Sequence, residues 1–232
     1  MLIAALTLLA AFSPPITTPA CAPGAAAVTT FRATSNLLHR ASAKMCAHTS
    51  SSSGAKALHG RELHSRIAAA IESDASSAFG KSLKRALGVM RDAFRLYGPD
   101  RVVASFNGGK DAVVILHLAL AALAAHNEAT GGSARLRVIF FEMPDEFPEI
   151  DAFVRDTVAQ YDLELVTCAN VGFADGLRLC IEEHNSAAFV LGTRYSDPNA
   201  GGQQDFAPSS DWMPPFMRVN PILSWSYADV WV

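Results

Sequence analysis

Apolar residues recur every four positions at Leu63, Ile67 and Ile71, and at helical spacing again at Leu83, Leu87, Met90 and Phe94. That period predicts two helices over 61–97, with a break near Ser76–Gly80 and a stop at Gly98-Pro99-Asp100. The β-branched, apolar run 101–106 predicts a buried strand. Ala112 to Ala125 is almost wholly apolar, which predicts a helix buried nearly all round. After the Gly131-Gly132 turn come a strand over 136–141, a helix over 145–161, a strand over 163–167, a helix over 173–184 and a strand over 188–192. In the 145–161 helix Ile150, Phe153, Val154, Thr157 and Val158 share one side. Strands alternating with helices predict an α/β fold, a Rossmann-like parallel sheet with helices on both faces.

Beyond Gly192 the pattern changes. Residues 193–215 show no periodicity and read as a long functional loop, 217–221 as extended chain, and Ser224 as the cap of a last helix over 225–231. The chain stops inside that helix.

The first sixty residues behave differently. Leu2 to Phe12 is apolar except for Thr7, and eleven residues are too few to cross a bilayer as a helix, which takes about 20. A stretch rich in Ser, Thr, Ala and Pro follows, and the first acidic residue is Glu62. This composition resembles an organelle transit peptide, plastid ahead of mitochondrion. The other reading is a true start at Met45 and a cytoplasmic protein. Either way 1–60 reads as a disordered leader outside the fold.

Charge sharpens the division. The chain's formal charge is −3, but residues 1–61 hold five of the 19 basic residues and none of the 22 acidic ones, leaving 62–232 at −8. An acidic body argues against a nucleic-acid surface. No membrane span is expected, and nothing in the sequence marks an oligomeric state. Of four cysteines, Cys21 and Cys46 lie in the leader, and Cys168 and Cys180 remain in the body without CxxC or metal spacing. They read as reduced, buried thiols.

The segment with chemistry in it is Ser105-Phe106-Asn107-Gly108-Gly109-Lys110-Asp111, which joins the first strand to the apolar helix. A loop at the C-terminal end of a parallel strand faces the ligand crevice. Two glycines let the backbone approach a phosphate. The helix N-terminus adds free N–H groups and partial positive charge, and Ser105, Asn107 and Lys110 add donors. The string is neither the GxxxxGK loop of P-loop NTPases nor GxGxxG.

In full, the string resembles the PP-loop of ATP pyrophosphatases and phosphoadenosine phosphosulfate (PAPS) reductases, in the form seen in eukaryotic-type FAD synthases. Three further segments are similar to that family: Phe141-Glu142 with 145–149, Leu191-Gly192-Thr193-Arg194-Tyr195-Ser196-Asp197-Pro198, and Asp211 through Tyr227. Tyr195 stands where a second Arg is usual, Ala112 where Cys is common, and the family continues past the Trp-Ser-Tyr helix, so the resemblance implies a domain over 61–232 truncated at its C-terminus. The resemblance implies an adenine nucleotide alpha-hydrolase-like fold and the reaction ATP + FMN → FAD + pyrophosphate, with Mg²⁺. It implies that Ser105, Phe106, Asn107, Gly108, Gly109 and Glu142 bind ATP. Lys110, Asp111 and Arg194 would be catalytic, with Asp111 placing Mg²⁺ directly or through water. Asp145, Gly192, Thr193, Asp197, Arg218 and Trp225 would bind FMN, with Phe216, Trp225 or Tyr227 offering a stacking ring.

Structural readings stand beside these. Asp111 suits any helix N-terminus, Asp197 an Asp-Pro turn, Asp145 a helix cap, and the three aromatic residues core packing. The alternative function is an inactive or incomplete nucleotide-binding module.

Overall fold

The structure, a computed structural model, describes residues 53–232 apart from Asn199. Of the expected leader, residues 1–52 lie outside the described residues. Helix α1 (Ser53–Ser73) begins ahead of the expected boundary at 61. Its Gly60 is buried, so close to α3 that a Cβ would stand 3.1 Å from Ala124 Cβ. The folded unit therefore takes in residues that composition had grouped with the leader.

Helix α2 (Ala78–Tyr97) is capped by Ser77, whose hydroxyl accepts the Gly80 N–H at 2.8 Å, and Leu83, Leu87, Met90 and Phe94 are buried as their spacing predicts. The chain then alternates: β1 (Val102–Ser105), α3 (Lys110–Thr130), β2 (Arg137–Glu142), α4 (Pro148–Tyr161), β3 (Glu164–Ala169), α5 (Phe173–His184) and β4 (Ala188–Val190). Helix α4 starts at Pro148 rather than at 145. Proline suits the first helical position and disfavours helix in the residue before it. Asp145 lies in the preceding turn, and Phe147 occupies the cap position.

Two short strands follow, β5 (Phe206–Pro208) and β6 (Met217–Val219). The first falls inside the expected loop 193–215. The last helix is shorter than expected: only Ala228–Trp231 forms a 3-10 turn, and its start is fixed by Ser226 rather than Ser224. The Ser226 N–H donates to Asp229 Oδ2 at 2.7 Å, and the Asp229 N–H returns to Ser226 Oγ at 3.2 Å, a reciprocal cap.

The sheet runs β3-β2-β1-β4-β6-β5, parallel except for β5 on β6. Helices cover both faces, unequally. Val102, Ala104, Phe106, Val138, Phe140 and Val190 pack on one face with α1–α4, Trp225 and Val230. On the other, Val103, Ile139, Cys168 and Phe189 meet α5 through Leu177 and Cys180. Helix α3 is apolar and long enough to cross a bilayer, but its apolar residues from Ile115 to Leu123 belong to the first core. Chain order reverses between β1 and β4. From β1 the chain steps outward to β2 and β3, then returns to β4 on the other side. In such sheets ligands bind at that reversal, outside the carboxyl ends of the strands.

Candidate functional site

A cleft of about 330 Å³ opens at that point, lined by Ser105, Asn107, Gly109, Asp111, Ala112, Leu191, Gly192, Thr193 and Asp197. A larger cavity, about 380 Å³, lies at the opposite edge around Asn127, Arg135 and Asp162. Several of its polar groups serve one another: Asn127 bonds both ways with Ala134, and Arg135 binds the Asp162 and Leu163 carbonyls. The smaller cleft holds groups that are not satisfied.

The loop after β1 is shaped for close approach. Gly108 has φ +74°, and a Cβ there would meet Phe153 Cδ1 at 3.2 Å. Asn107 Oδ1 accepts the Gly109 N–H at 3.0 Å, closing a tight turn. Gly109 caps α3 without a side-chain bond, so the N–H groups of the helix's first turn stay available.

Two carboxylates of the lining, Asp111 and Asp197, are each paired with a cation, Lys110 and Arg194, that is not itself among the lining residues. Lys110 Nζ lies 2.6 Å from Asp111 Oδ2, and Arg194 Nε 3.5 Å from Asp111 Oδ1. Asp197 accepts the Arg194 backbone N–H at 2.8 Å and its Nη2 at 3.3 Å. Asp197 thus orients Arg194 as well as forming the turn. The Arg194 residue is only 8% exposed, yet its Nε and Nη1 have no hydrogen-bond partner, and neither has Asp111 Oδ1. Arg194 Nε and Asp111 Oδ1 face each other in an ion pair too long to be a good hydrogen bond, and Nη1 has no hydrogen-bond partner; buried polar groups are nearly always hydrogen-bonded, so this spare capacity beside an open cleft points to an anionic ligand. Over the cations lies the ring of Tyr227, 4.9 Å from Lys110 Nζ and 5.9 Å from Arg194 Cζ. Sequence reasoning had offered Tyr227 only as a flavin-stacking candidate, because its position over Lys110 depends on tertiary contacts.

Several expected site residues lie elsewhere. Phe106 is fully buried against Phe153 and is a core residue. Trp225, 5% exposed, packs edge-on against Phe79 at 5.3 Å within the first core. Arg218 donates to the Pro208 carbonyl at 2.9 Å and Ser210 Oγ at 2.8 Å, so it braces the β5–β6 hairpin. Glu142 ends β2 and Asp145 is exposed in the turn beyond; neither lines the cleft. The thiols of Cys168 and Cys180 are free and buried, as expected, and burial pushes both up from their ordinary range. Neither is an activated thiolate.

The sequence matches the phosphoadenosine phosphosulfate reductase domain over residues 101–174 and 167–232. It is 32% identical over 142 residues to a probable FAD synthase of Schizosaccharomyces pombe, covering 60% of this chain and 53% of that one. It is 30% identical over 145 residues to the flavin adenine dinucleotide synthase of Saccharomyces cerevisiae, covering 55% and 47%. The chain therefore spans about half the length of these two relatives. Among solved structures, Candida glabrata FMN adenylyltransferase in complex with FAD and inorganic pyrophosphate superposes with a TM-score of 0.65 at 23% identity, covering 77% of this chain and 64% of that one. Yeast FAD synthetase in complex with FAD gives 0.63 at 26% identity, covering 76% and 65%. With the strand order, the Gly-Gly loop after β1 and the match across 101–232 all in agreement, this chain belongs to the phosphoadenosine phosphosulfate reductase domain family.

Proposed function

We propose that the chain transfers the adenylyl group of ATP to the phosphate of FMN, giving FAD and pyrophosphate. The observation that carries this is the buried, incompletely hydrogen-bonded head of Arg194, held in a 3.5 Å ion pair with Asp111 at the start of α3. The names of its relatives supply the product, FAD, and that of the Candida glabrata structure the acceptor, FMN.

An FMN phosphate oxygen attacks the α-phosphorus of ATP. The bond from that phosphorus to the α,β-bridging oxygen breaks, and pyrophosphate leaves with the bond's electron pair. A phosphate monoester is largely dianionic at neutral pH, so no general base is needed. The protein's work is alignment and charge stabilisation. The Asn107–Gly109 turn and the first N–H groups of α3 hold the departing pyrophosphate. Lys110 and Arg194 offset the charge that develops on it, Asp197 keeps Arg194 in place, and Gly192 and Thr193 face the incoming phosphate. Neither buried thiol has a part in this chemistry.

The residues fit a magnesium ion held mainly by phosphate. Among the described residues no cluster of three His, Cys, Asp or Glu occurs, while Asp111 Oδ1 is buried without a hydrogen bond. One carboxylate plus phosphate oxygens and water is the donor set magnesium takes in such sites. Bound there, it would neutralise phosphate charge beyond what two lysine and arginine heads can offset.

The test is FAD formation from FMN, ATP and Mg²⁺ by the full chain, followed by chromatography. Arg194→Ala and Asp111→Ala should each reduce it by roughly 10²–10³-fold. A folded chain that binds ATP tightly and forms no FAD would overturn the proposal in favour of a nucleotide-binding module.

A further inference from the structure

We infer that Tyr227 is a positioning residue for the phosphate-binding cations, acting through the face of its ring; this rests on the nucleotide-transfer reading above. Lys110 Nζ and Arg194 Cζ lie 4.9 and 5.9 Å from the ring centroid, both inside the range at which an aromatic face attracts a cation, about 6 Å. The two heads belong to different elements, Lys110 to the first turn of α3 and Arg194 to the loop after β4. Asp111 and Tyr227 are what they share.

The ring is placed by its neighbours rather than by its own burial. Tyr227 is 62% exposed. On one side Trp225 is locked against Phe79; on the other Val230 is 2% exposed. The reciprocal bonds between Ser226 and Asp229 fix the backbone between them. Two buried anchors and a cap thus present an exposed ring to two cations.

The choice of an aromatic has a chemical reason. A third carboxylate here would gather the same cations, but it would occupy their N–H donors and cancel their charge. The ring's quadrupole attracts a cation without accepting a conventional hydrogen bond or carrying net charge. Arg194 Nε and Nη1 accordingly make no hydrogen bond, although Nε lies 3.5 Å from Asp111 Oδ1 in an ion pair. Lys110, on a flexible four-carbon stem, is held near the loop with its charge only partly offset by Asp111. The ring pre-organises both donors for pyrophosphate, which lowers the ordering cost of binding.

The experiment measures inorganic pyrophosphate binding to the full chain by calorimetry, with FAD formation measured in parallel. Tyr227→Leu should weaken pyrophosphate binding by roughly 5–30-fold, the effect of two modest cation–π contacts. Tyr227→Phe should restore it. Phenylalanines carrying increasing numbers of fluorines at 227 should weaken it stepwise, because fluorine drains the ring face while hardly changing its shape. The thermal midpoint should stay constant through the series, which a merely structural role would not predict. Wild-type affinity in Tyr227→Leu, a Phe variant as weak as Leu, a flat fluorine series, or no pyrophosphate binding by the wild type would each overturn the inference. FAD formation with affinity indifferent to position 227 sinks this inference alone. Ring-dependent pyrophosphate binding without FAD sinks the adenylyl-transfer reading alone.

Discussion

Gly192 follows β4 by two residues and touches the first turn of α3, which makes it a probe of how tightly the cleft is set. A Cβ on residue 192 would stand 2.9 Å from Asp111 Cβ, 3.4 Å from its carbonyl carbon and 3.5 Å from its oxygen. Carbon atoms in contact prefer about 3.5–4.0 Å, so Gly192→Ala requires a separation of roughly 0.6–1 Å at Asp111 Cβ. The neighbour is the start of a core helix rather than the tip of a flexible side chain. Over-packing of this kind costs about 1–3 kcal/mol. A domain of ordinary stability, about 5–15 kcal/mol, stays folded after that loss. The chemistry should suffer more than the fold. Moving Asp111 disturbs both its 2.6 Å pair with Lys110 and its 3.5 Å approach to Arg194. A misplacement near 1 Å can cost about 10²-fold in rate. Expected is a fall of about 10²-fold in kcat/KM for ATP, equivalent to about 2.7 kcal/mol. Urea unfolding and FAD formation on the same preparation give the two numbers. Lost stability with unchanged kcat/KM would show that the Asp111 geometry does not govern the reaction. No change in either would show that the 191–194 loop yields freely, and the steric reasoning would be wrong.

Gly176→Ala on α5 should destabilise the fold by about 1–3 kcal/mol, because a Cβ would stand 2.5 Å from Phe141 Cε1 and 3.0 Å from Cys168 Sγ; a wild-type urea midpoint would refute this. Gly88→Ala in α2 meets nothing within 4 Å and should stabilise by about 0.5–1 kcal/mol through helix propensity, read as a raised midpoint. His117, hydrogen-bonded to the Tyr161 hydroxyl at 3.1 Å, has its pKa lowered from 6.5 by burial. The neutral form is therefore favoured by folding, and its contribution is complete above pH 6.5 and lost as pH falls through the lowered folded value. The stability advantage of the wild type over His117→Gln should shrink between about pH 7 and pH 5, and a constant gap across that range would contradict it.

The elements legible in the sequence are those whose neighbours are local or whose burial is complete. Helix α5 ends where it was expected at both ends, and the α2 stripe is buried residue for residue. Strand β5 was not legible because three residues, one of them Pro208, carry no period, and they become a strand only through pairing with β6. The same pairing decides Arg218. Its charge suggested a phosphate, but once Ala207 stands opposite Arg218 the carbonyl of Pro208 and the hydroxyl of Ser210 are within its reach. Trp225 shows the opposite limit. Flanked by two serines, it gave no periodic sign that it would be buried on Phe79 of a helix far away in sequence. The Gly-Gly loop after β1 was readable because its properties are local: two adjacent glycines, one at positive φ, between a strand and a helix.

On the adenylyl-transfer reading proposed above, the charges in the cleft explain how such a site can wait without its substrate. Lys110 and Arg194 are matched by Asp111 and Asp197, so the resting cluster carries no net charge. Uncompensated charge would be costly for an arginine exposed by only 8%. Yet the pairing is incomplete in its hydrogen bonds, since Arg194 Nε and Nη1 make none. Attraction for a polyphosphate then comes from oriented donors, from the α3 N-terminus and from any magnesium the phosphate brings, rather than from a standing positive field. A neutral resting cluster also favours release of pyrophosphate, because the carboxylates re-pair with the cations as it departs. On this account Asp197→Asn should tighten binding of inorganic pyrophosphate while slowing turnover, by leaving Arg194 more positive but less well oriented. A variant that weakened pyrophosphate binding instead would mean that orientation by Asp197, not charge, sets the affinity.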